Sequence, residues 1–476
     1  MIKLLEYLVD KSIEAPDEKV TQFEIGVAVL NKSQKNFDPT YDPIIRIHAR
    51  RLRKYLHQYY DVSTDQNEIV ISMPKGQYGL TFNYPQFTYA EKIEKSHNED
   101  FQNTIAISDF KDFRIKRHND DLTNYLKEDI LLELSLFKHF NVLNSHEDSR
   151  FLIDGFLTNE KEKFRISIKL IDQTSSQIIW SKNVTFQYSE EEILSLEESI
   201  AKPISRTIAD VNGIICGRMY SQTDWTKKFS LNTYSTYLHF YKYHINSNEE
   251  TATELIPIIE KLVNQEPNFA SGWAILCNLY ADLFVYTLDK KTLSKALESG
   301  RKSVNQDAND QNGLLHYAYA LMLNNQIHNA KKLIEQLLNL NNNALFYTGC
   351  AGWLYCLMGD FSIGFKLLSN TIKRNPLSPE WFYIGTFIYY VNENQIDMAH
   401  LEALKMNDHN LIYTPLLKLI SFQLNGSYSK AKKQLPKIIA LKPDFEQNYS
   451  NYICCLFKHP KTQDILISSI QEIVNA

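Results

Sequence analysis

The stretch DPIIRIHARRLRKYLHQYY, Asp42 to Tyr60, carries Arg46, Arg50, Arg51, Arg53 and Lys54, with no acidic residue between Pro43 and Tyr60. Arg can place two parallel N–H donors on guanine O6 and N7 or clamp a phosphate, and Lys supplies a point charge. Ile45, Ala49, Leu52, Leu56 and Tyr59 recur at i, i+4, i+7, i+11 and i+14, the spacing of one buried helical stripe. The basic residues fall off it, with Arg46, Arg50 and Arg53 in one row and Arg51 and Lys54 beside them. The pattern predicts a helix whose outer side is a nearly unbroken positive surface. A charge run on a helix is commonly a solvated face and no more. Residues 1 to 90 hold 11 basic and 11 acidic residues, so segregation rather than the sum carries the reading. Screening confines such a field to about 10 Å at 0.1 M salt. A local basic face can therefore dock phosphates on a chain of net charge -5.

The elements that would position this helix are legible around it. Leu4, Leu5, Leu8 and Ile13 give a first helix its apolar face, and TQFEIGVAVL opens with Thr21 and Glu24 at capping-box spacing. NKSQKNFDPTYDP contains two Asp-Pro steps, which predict a loop, and Pro43 suits the first turn of the basic helix. EIVISMP and YGLTFNY alternate around Lys75, Gly76 and Gln77, a hairpin pattern.

Helix, helix, basic helix, hairpin is the order of a winged helix-turn-helix. IRIHARRLRKYL (Ile45–Leu56) and KGQYGL (Lys75–Leu80) resemble the output domains of the OmpR and CadC class. They are closer still to a bacterial subfamily reading DPIVRVEARRLRRKLxxYY, found ahead of tetratricopeptide repeats. That class often has a small sheet before its first helix, whereas this chain begins inside a helix. The resemblance implies that Asp42–Tyr60 is a recognition helix in the DNA major groove, with His48, Arg50, Arg51, Arg53 and Lys54 at matching positions. On it we assign Arg46 and Arg50 to base reading, Arg53 and Lys54 to the backbone, and Lys75 and Gln77 at the wing tip to the minor groove or its phosphates.

YAEKIEKSHNED (Tyr89–Asp100) reads as a polar linker, after which the period changes. NTIAISDF reads as a buried strand, DDLTNYLKEDILLELSLF as an amphipathic helix, and Arg150–Phe186 as three strands; a helix from Glu190 to about Asn212 closes a small α/β domain with a mixed sheet. IAISDF, LIDGFL and FRISIKLIDQTSSQIIW resemble the TolB-amino-terminal-like domain, which implies a fold more than an activity. Asp154 and Asp172, beside a strand glycine and at a turn, read as structural. Farther on, Ala296, Ala330, Gly364, Ala399 and Ala431 recur at spacings of 34, 34, 35 and 32, with Pro267, Pro376 and Pro443 closing repeats. SGWAILCNLYA, NGLLHYAYALM and YTGCAGWLYCLMGD each resemble the first helix of a tetratricopeptide repeat. About six repeats, capped by a helix over 461–474, would form a solenoid whose concave face holds a protein or peptide.

The fold expected is thus multidomain and mainly α: a winged helix-turn-helix over 1–88, an α/β domain over 100–220 and a tetratricopeptide solenoid over 230–476. With 44% hydrophobic and 22% charged residues the composition is that of an ordinary globular protein. Six cysteines without a CxxC pair suggest a reducing cytoplasm. MIKLLEYLVDKSIEA contains Glu6 and Asp10 where a signal peptide needs an apolar run, and Ala344–Met358 is too short for a membrane span. GxxxxGK[ST], HExxH and GxSxG are missing, and His48 and His57 lie nine residues apart, off the spacing for one metal on a helix face. We expect no enzyme, no cofactor and no metal. The function expected is a cytoplasmic, one-component transcriptional regulator that binds double-stranded DNA, as a homodimer if paired half-sites are read, with repeats that sense a partner. The alternative is a tetratricopeptide interaction scaffold whose winged helix no longer binds DNA.

Overall fold

The computed structural model describes residues 2–14, 20–30, 32–33, 37, 42, 44–62, 70–74, 78–83, 101, 103–114, 121–144, 148–160, 163–187, 195–222, 233–245, 247–375, 378–407 and 411–475. They belong to two compact units, Met1–Lys95 and Ser96–Ala476.

In the first unit α1 (Ile2–Glu14), α2 (Gln22–Ala28) and α3 (Ile44–Val62) precede β1 (Val70–Ser72) and β2 (Thr81–Asn83). The predicted capping box starts α2: Glu24 N–H donates to Thr21 Oγ1 at 3.2 Å and Thr21 N–H to Glu24 Oε2 at 2.7 Å. Those bonds, the Thr21 backbone first, hold the Glu24 carboxyl below its usual range. Leu4 and Leu8 of α1, Ile25 of α2 and Ile45, Ala49 and Leu52 of α3 meet Met73 and Leu80 from the hairpin in one core. The strands pair antiparallel, Val70 opposite Asn83 and Ser72 opposite Thr81. Leu80 N–H donates to Ser12 Oγ at 3.2 Å, tying the base of the hairpin to α1.

The second unit opens with β3 (Thr104–Ile107), β4 (Lys111–Asp112), α4 (Leu122–Ser135), β5 (Asn141–Leu143), β6 (Phe151–Glu160), β7 (Lys163–Asp172) and β8 (Gln177–Gln187). The sheet runs β5-β3-β6-β7-β8 with β4 also on β6; β3 is parallel to β5 and β6, and β6–β7–β8 form an antiparallel meander. The mixed sheet is as the sequence suggests. Alternation puts Phe151, Ile153 and Leu157 of β6 and Ile166, Ile168 and Leu170 of β7 on one buried face. They form one core with Leu126, Ile130 and Leu134 of α4. The closing helix is not continuous. A π-helical turn, Glu197–Ala201, runs into α5 (Lys202–Ala209), which ends where Asp210 turns extended and Gly213 N–H bonds back to Asp210 O at 2.7 Å. Helix α6 (Ile214–Gln222) follows. The short β5 escaped the sequence reading because three residues offer too little alternation.

Helix pairs then succeed one another: α7 (Thr233–Ile245) with α8 (Glu249–Gln265), α9 (Ala270–Thr287) with α10 (Lys290–Gln306), α11 (Gln311–Leu323) with α12 (Ile327–Leu340), α13 (Leu345–Met358) with α14 (Phe361–Arg374), and α15 (Phe382–Asn392) with α16 (Ile396–Leu404). Helix α17 (Tyr413–Leu424), α18 (Tyr428–Lys432) and α19 (Leu435–Leu441) make a broken pair, and α20 (Phe445–Leu456) and α21 (Pro460–Val474) complete the array. Ala296, Ala330, Gly364, Ala399 and Ala431 all fall, buried, in second helices, where a small side chain lets paired helices approach. The array curls back on itself, since Lys458 N–H donates to Leu357 O at 2.8 Å and Lys442 Nζ meets Glu249 at 2.7 Å.

The sheet and the array share this unit because a polar seam joins them. The buried Asn343 amide donates to Glu133 Oε2 and to Lys202 O, each at 3.0 Å, and its Oδ1 accepts from Arg206 at 3.1 Å. Phe346 N–H donates to the Asp210 carboxylate at 3.2 Å. Asp154 and Asp172 are structural: Lys169 and Ser108 hold the first at 2.9 and 2.8 Å, and Arg218 with the Thr174 hydroxyl holds the second at 3.2 and 2.5 Å. No described helix is long and apolar enough to cross a membrane.

Candidate nucleic-acid interface

The sequence pattern of α3 determines which way each side chain points. Ile45, Ala49 and Leu52 are buried and Leu56 half-buried, so the opposite side faces outward. At about 100° per residue, Arg46, Arg50, Lys54 and Arg51 sweep an arc of about 140°, and Arg46 to Lys54 spans about 12 Å along the axis. All four are exposed. The row Arg46, Arg50, Lys54 follows i, i+4 spacing, so the three side chains lie one above another. Ile47, 46% exposed, lies within that arc, and Tyr55, 54% exposed, lies about 40° beyond Arg51. His48 is half-buried at the edge of the face.

Arg53 stands apart from its neighbours. Its Nε donates to Met73 O and its Nη2 to Pro74 O, both at 3.0 Å, so the guanidinium pins α3 to the end of β1. Its charge lies at the root of the hairpin while the other four cations face away. Lys75 and Gln77, expected at the hairpin tip, lie outside the described residues.

Three positioning residues were missed from sequence. Asp42 Oδ1 accepts from Ile44 N–H at 3.0 Å, satisfying a first-turn donor of α3, and its other oxygen meets Lys32 Nζ at 2.9 Å. The bond from Lys32, then that from Ile44, holds the Asp42 carboxyl below its usual range. At the far end Tyr60 accepts from Ile71 N–H at 3.0 Å, fixing β1 against the helix. Tyr59, read from its spacing as part of the buried stripe, is 57% exposed and packs edge-on to Tyr60 with ring centroids 5.0 Å apart. The stripe fails there because the last turn of α3 outruns the core formed with α1 and α2. The Asp-Pro steps at Asp38 and Asp42 predict a loop and Pro43 a first turn; an Asp two residues before a helix is also a capping signal.

Among the described residues no cluster of three or more His, Cys, Asp or Glu could hold a metal ion. The chemistry open to this face is recognition of anions, by four cations on one side of a helix with Ile47 between them and Tyr55 at their edge.

No protein-family model matches the chain, and no curated protein matches it. Among solved structures it is similar to the crystal structure of the APC/C hetero-tetramer Cut9-Hcn1, at a TM-score of 0.39 and 14% sequence identity, over 60% of this chain. The chain spans about half the length of that protein, 54% of it.

Proposed function

We propose that the chain is a helical-repeat interaction protein whose first unit docks on double-stranded DNA, and that it acts as a one-component transcriptional regulator in the cytoplasm. The observation that carries the DNA reading is the single face of α3, where Arg46, Arg50, Arg51 and Lys54 project from a helix anchored on its other side by a core and a hairpin. Such a helix fits a major groove about 12 Å wide. Arg46 and Arg50 are the candidates for base edges, with Lys54 on the backbone. Arg53 serves the fold. Two copies on paired half-sites would supply the site length that one unit lacks.

A second reading, an interaction scaffold without DNA, is favoured by the apolar exposure of the same helix: Ile47, Tyr55 and Tyr59 offer a protein partner a contact patch. Fluorescence anisotropy of the full chain on duplexes pooled from promoter regions of the source genome separates the two. The DNA reading predicts saturable binding that the triple variant Arg50→Ala/Arg51→Ala/Lys54→Ala loses while its melting temperature is kept. Equal or absent binding by both proteins would establish the scaffold instead.

A further inference from the structure

Inside the array, α7, α9, α11, α13, α15 and α17 converge on a cavity of about 90 Å³. That is room for about six to nine waters at roughly 10–15 Å³ each. Leu456 of α20 also lines it, so the returning C-terminal helices supply part of its wall, and the pocket is partly open to solvent. Five buried polar atoms of its walls have no partner: Asn278 Oδ1, His244 Nε2, His316 Nε2, Trp353 Nε1 and the Tyr413 hydroxyl. Asn278, His316, Trp353 and Tyr413 are each at most 9% exposed. Asp282, one helical turn beyond Asn278 on α9, adds a carboxylate that accepts from the hydroxyl of Tyr243 at 2.9 Å and from that of Tyr319.

The walls lack a positive charge. No Lys or Arg lines the cavity among the described residues. Burial lifts the Asp282 carboxyl to about 7 in spite of its two phenol donors, and pushes His244 down to about 4 and His316 further still, so both imidazoles are neutral at pH 7. Water can satisfy the orphaned donors and acceptors, whereas a bound cation would in addition favour the ionised form of Asp282. Asp282, when ionised, and Asn278 Oδ1 can only accept and Trp353 Nε1 can only donate, whereas the two imidazole nitrogens and the Tyr413 hydroxyl can take either role. Three rings contact one another at its wall: Trp353 and Trp381 cross at 73° with centroids 5.0 Å apart, and Tyr319 tilts against Trp353 at 5.6 Å.

We propose that this cavity is a guanidinium-binding site, with Asp282 receiving two N–H donors, Asn278 Oδ1 and an imidazole nitrogen receiving others, and one ring of the Trp353, Trp381 and Tyr319 cluster stacking on the planar cation. A guanidinium offers five N–H donors in one plane and stacks on aromatic faces, which a compact, strongly hydrated ammonium does not do as well. A quaternary ammonium would suit the rings but leave every acceptor unpaired. The group could arrive as a small molecule or as an arginine side chain of a bound peptide. This inference concerns the second unit and is independent of the DNA reading.

Isothermal titration calorimetry of the full chain tests it with methylguanidine, N-acetyl-arginine amide, methylammonium and tetramethylammonium. Methylguanidine is expected to saturate with a dissociation constant of roughly 0.1–1 mM, in keeping with so few atoms. Methylammonium should bind at least several-fold more weakly and tetramethylammonium not at all. Tighter binding of N-acetyl-arginine amide would identify a peptide source, and weaker binding a free small molecule; both support the guanidinium chemistry. Asp282→Asn should weaken methylguanidine by about 30-fold or more, the loss for one partner of a buried charge pair. Should that variant fail to give the wild-type circular dichroism, Asn278→Ala, which removes an unpartnered acceptor, should weaken binding by roughly 2- to 10-fold. No saturation by either guanidino compound at 10 mM, on the order of ten times the expected constant, would overturn the proposal. So would tetramethylammonium binding as well as methylguanidine, or unchanged affinity in the folded variants.

Discussion

Replacing Gly364 by alanine tests how the repeat is packed, because two effects of the same substitution oppose each other. A glycine in a helix interior is worth about 0.8–1 kcal/mol less than alanine, so propensity alone predicts stabilisation. In α14, however, a Cβ on Gly364 would stand 2.7 Å from Cys356 N, 2.7 Å from Gly352 O and 2.6 Å from Cys356 Sγ. Two of these are backbone atoms of α13, which cannot rotate away. Ordinary carbon contacts begin near 3.5 Å, so α13 and α14 must part by most of an ångström. Overpacking of this kind costs about 1–3 kcal/mol, and more where backbone must shift. We therefore expect Gly364→Ala to destabilise the array by about 1–2 kcal/mol net of the propensity gain. Gly217→Ala in α6 is the control, since its Cβ would meet nothing within 4 Å and the site is exposed. It should stabilise by about 0.5–1 kcal/mol. Differential scanning calorimetry of the full chain reads both, with hydrogen exchange over α13 and α14 to locate the loss. Equal, stabilising shifts in the two variants would refute the close approach of these helices.

Further expectations concern single side chains. Arg53→Ala removes two charge-assisted hydrogen bonds to Met73 and Pro74 carbonyls and should cost the first unit about 1.5–3 kcal/mol, read as lost exchange protection in β1, whereas Arg51→Ala should leave that protection unchanged. Asn343→Leu strands the Glu133 and Arg206 side chains at the seam between sheet and array; about 1–3 kcal/mol of destabilisation, with faster limited proteolysis around 341–346, is expected. Asp282 is protonated in the folded chain and ionised in the unfolded one between about pH 4 and its folded value of about 7, with Tyr243 and Tyr319 facing it from α7 and α11. The folded state binds the extra proton, so wild-type stability should fall across that window relative to Asp282→Asn and run parallel above it, measured by urea titration at stepped pH.

Much of this architecture was legible because it rests on periodicity. The stripe of Ile45, Ala49 and Leu52, the Thr21–Glu24 capping box and the small residues of the second helices are all local patterns, and each is found where its spacing predicts. What escaped depends on contacts between segments distant in sequence. Arg53 looks like its basic neighbours until Met73 and Pro74 are brought beside it 20 and 21 residues later. The break between α5 and α6 at Asp210 reflects a carboxylate recruited by Phe346 of the array, 136 residues away. Asn278, Asp282, His316 and Trp353 lie in three different helices, so no local pattern brings them together. A signal was present in the carboxylate and amide at i, i+4 spacing within the otherwise apolar ASGWAILCNLYADLFVYT of α9, but their common cavity exists only once six helices converge.

The salt dependence of duplex binding by the full chain tests most directly the proposed docking of the outer face of α3 on DNA phosphates. Four exposed cations, Arg46, Arg50, Arg51 and Lys54, can release up to four counterions, which at about 0.9 per phosphate gives a slope of about -3 to -4 in log K against log salt. Arg50→Ala/Arg51→Ala/Lys54→Ala should reduce that slope by about 2–3. A slope near zero, or one the variant leaves unchanged, would contradict the assignment of this face to DNA and leave the helical array as the protein's working surface.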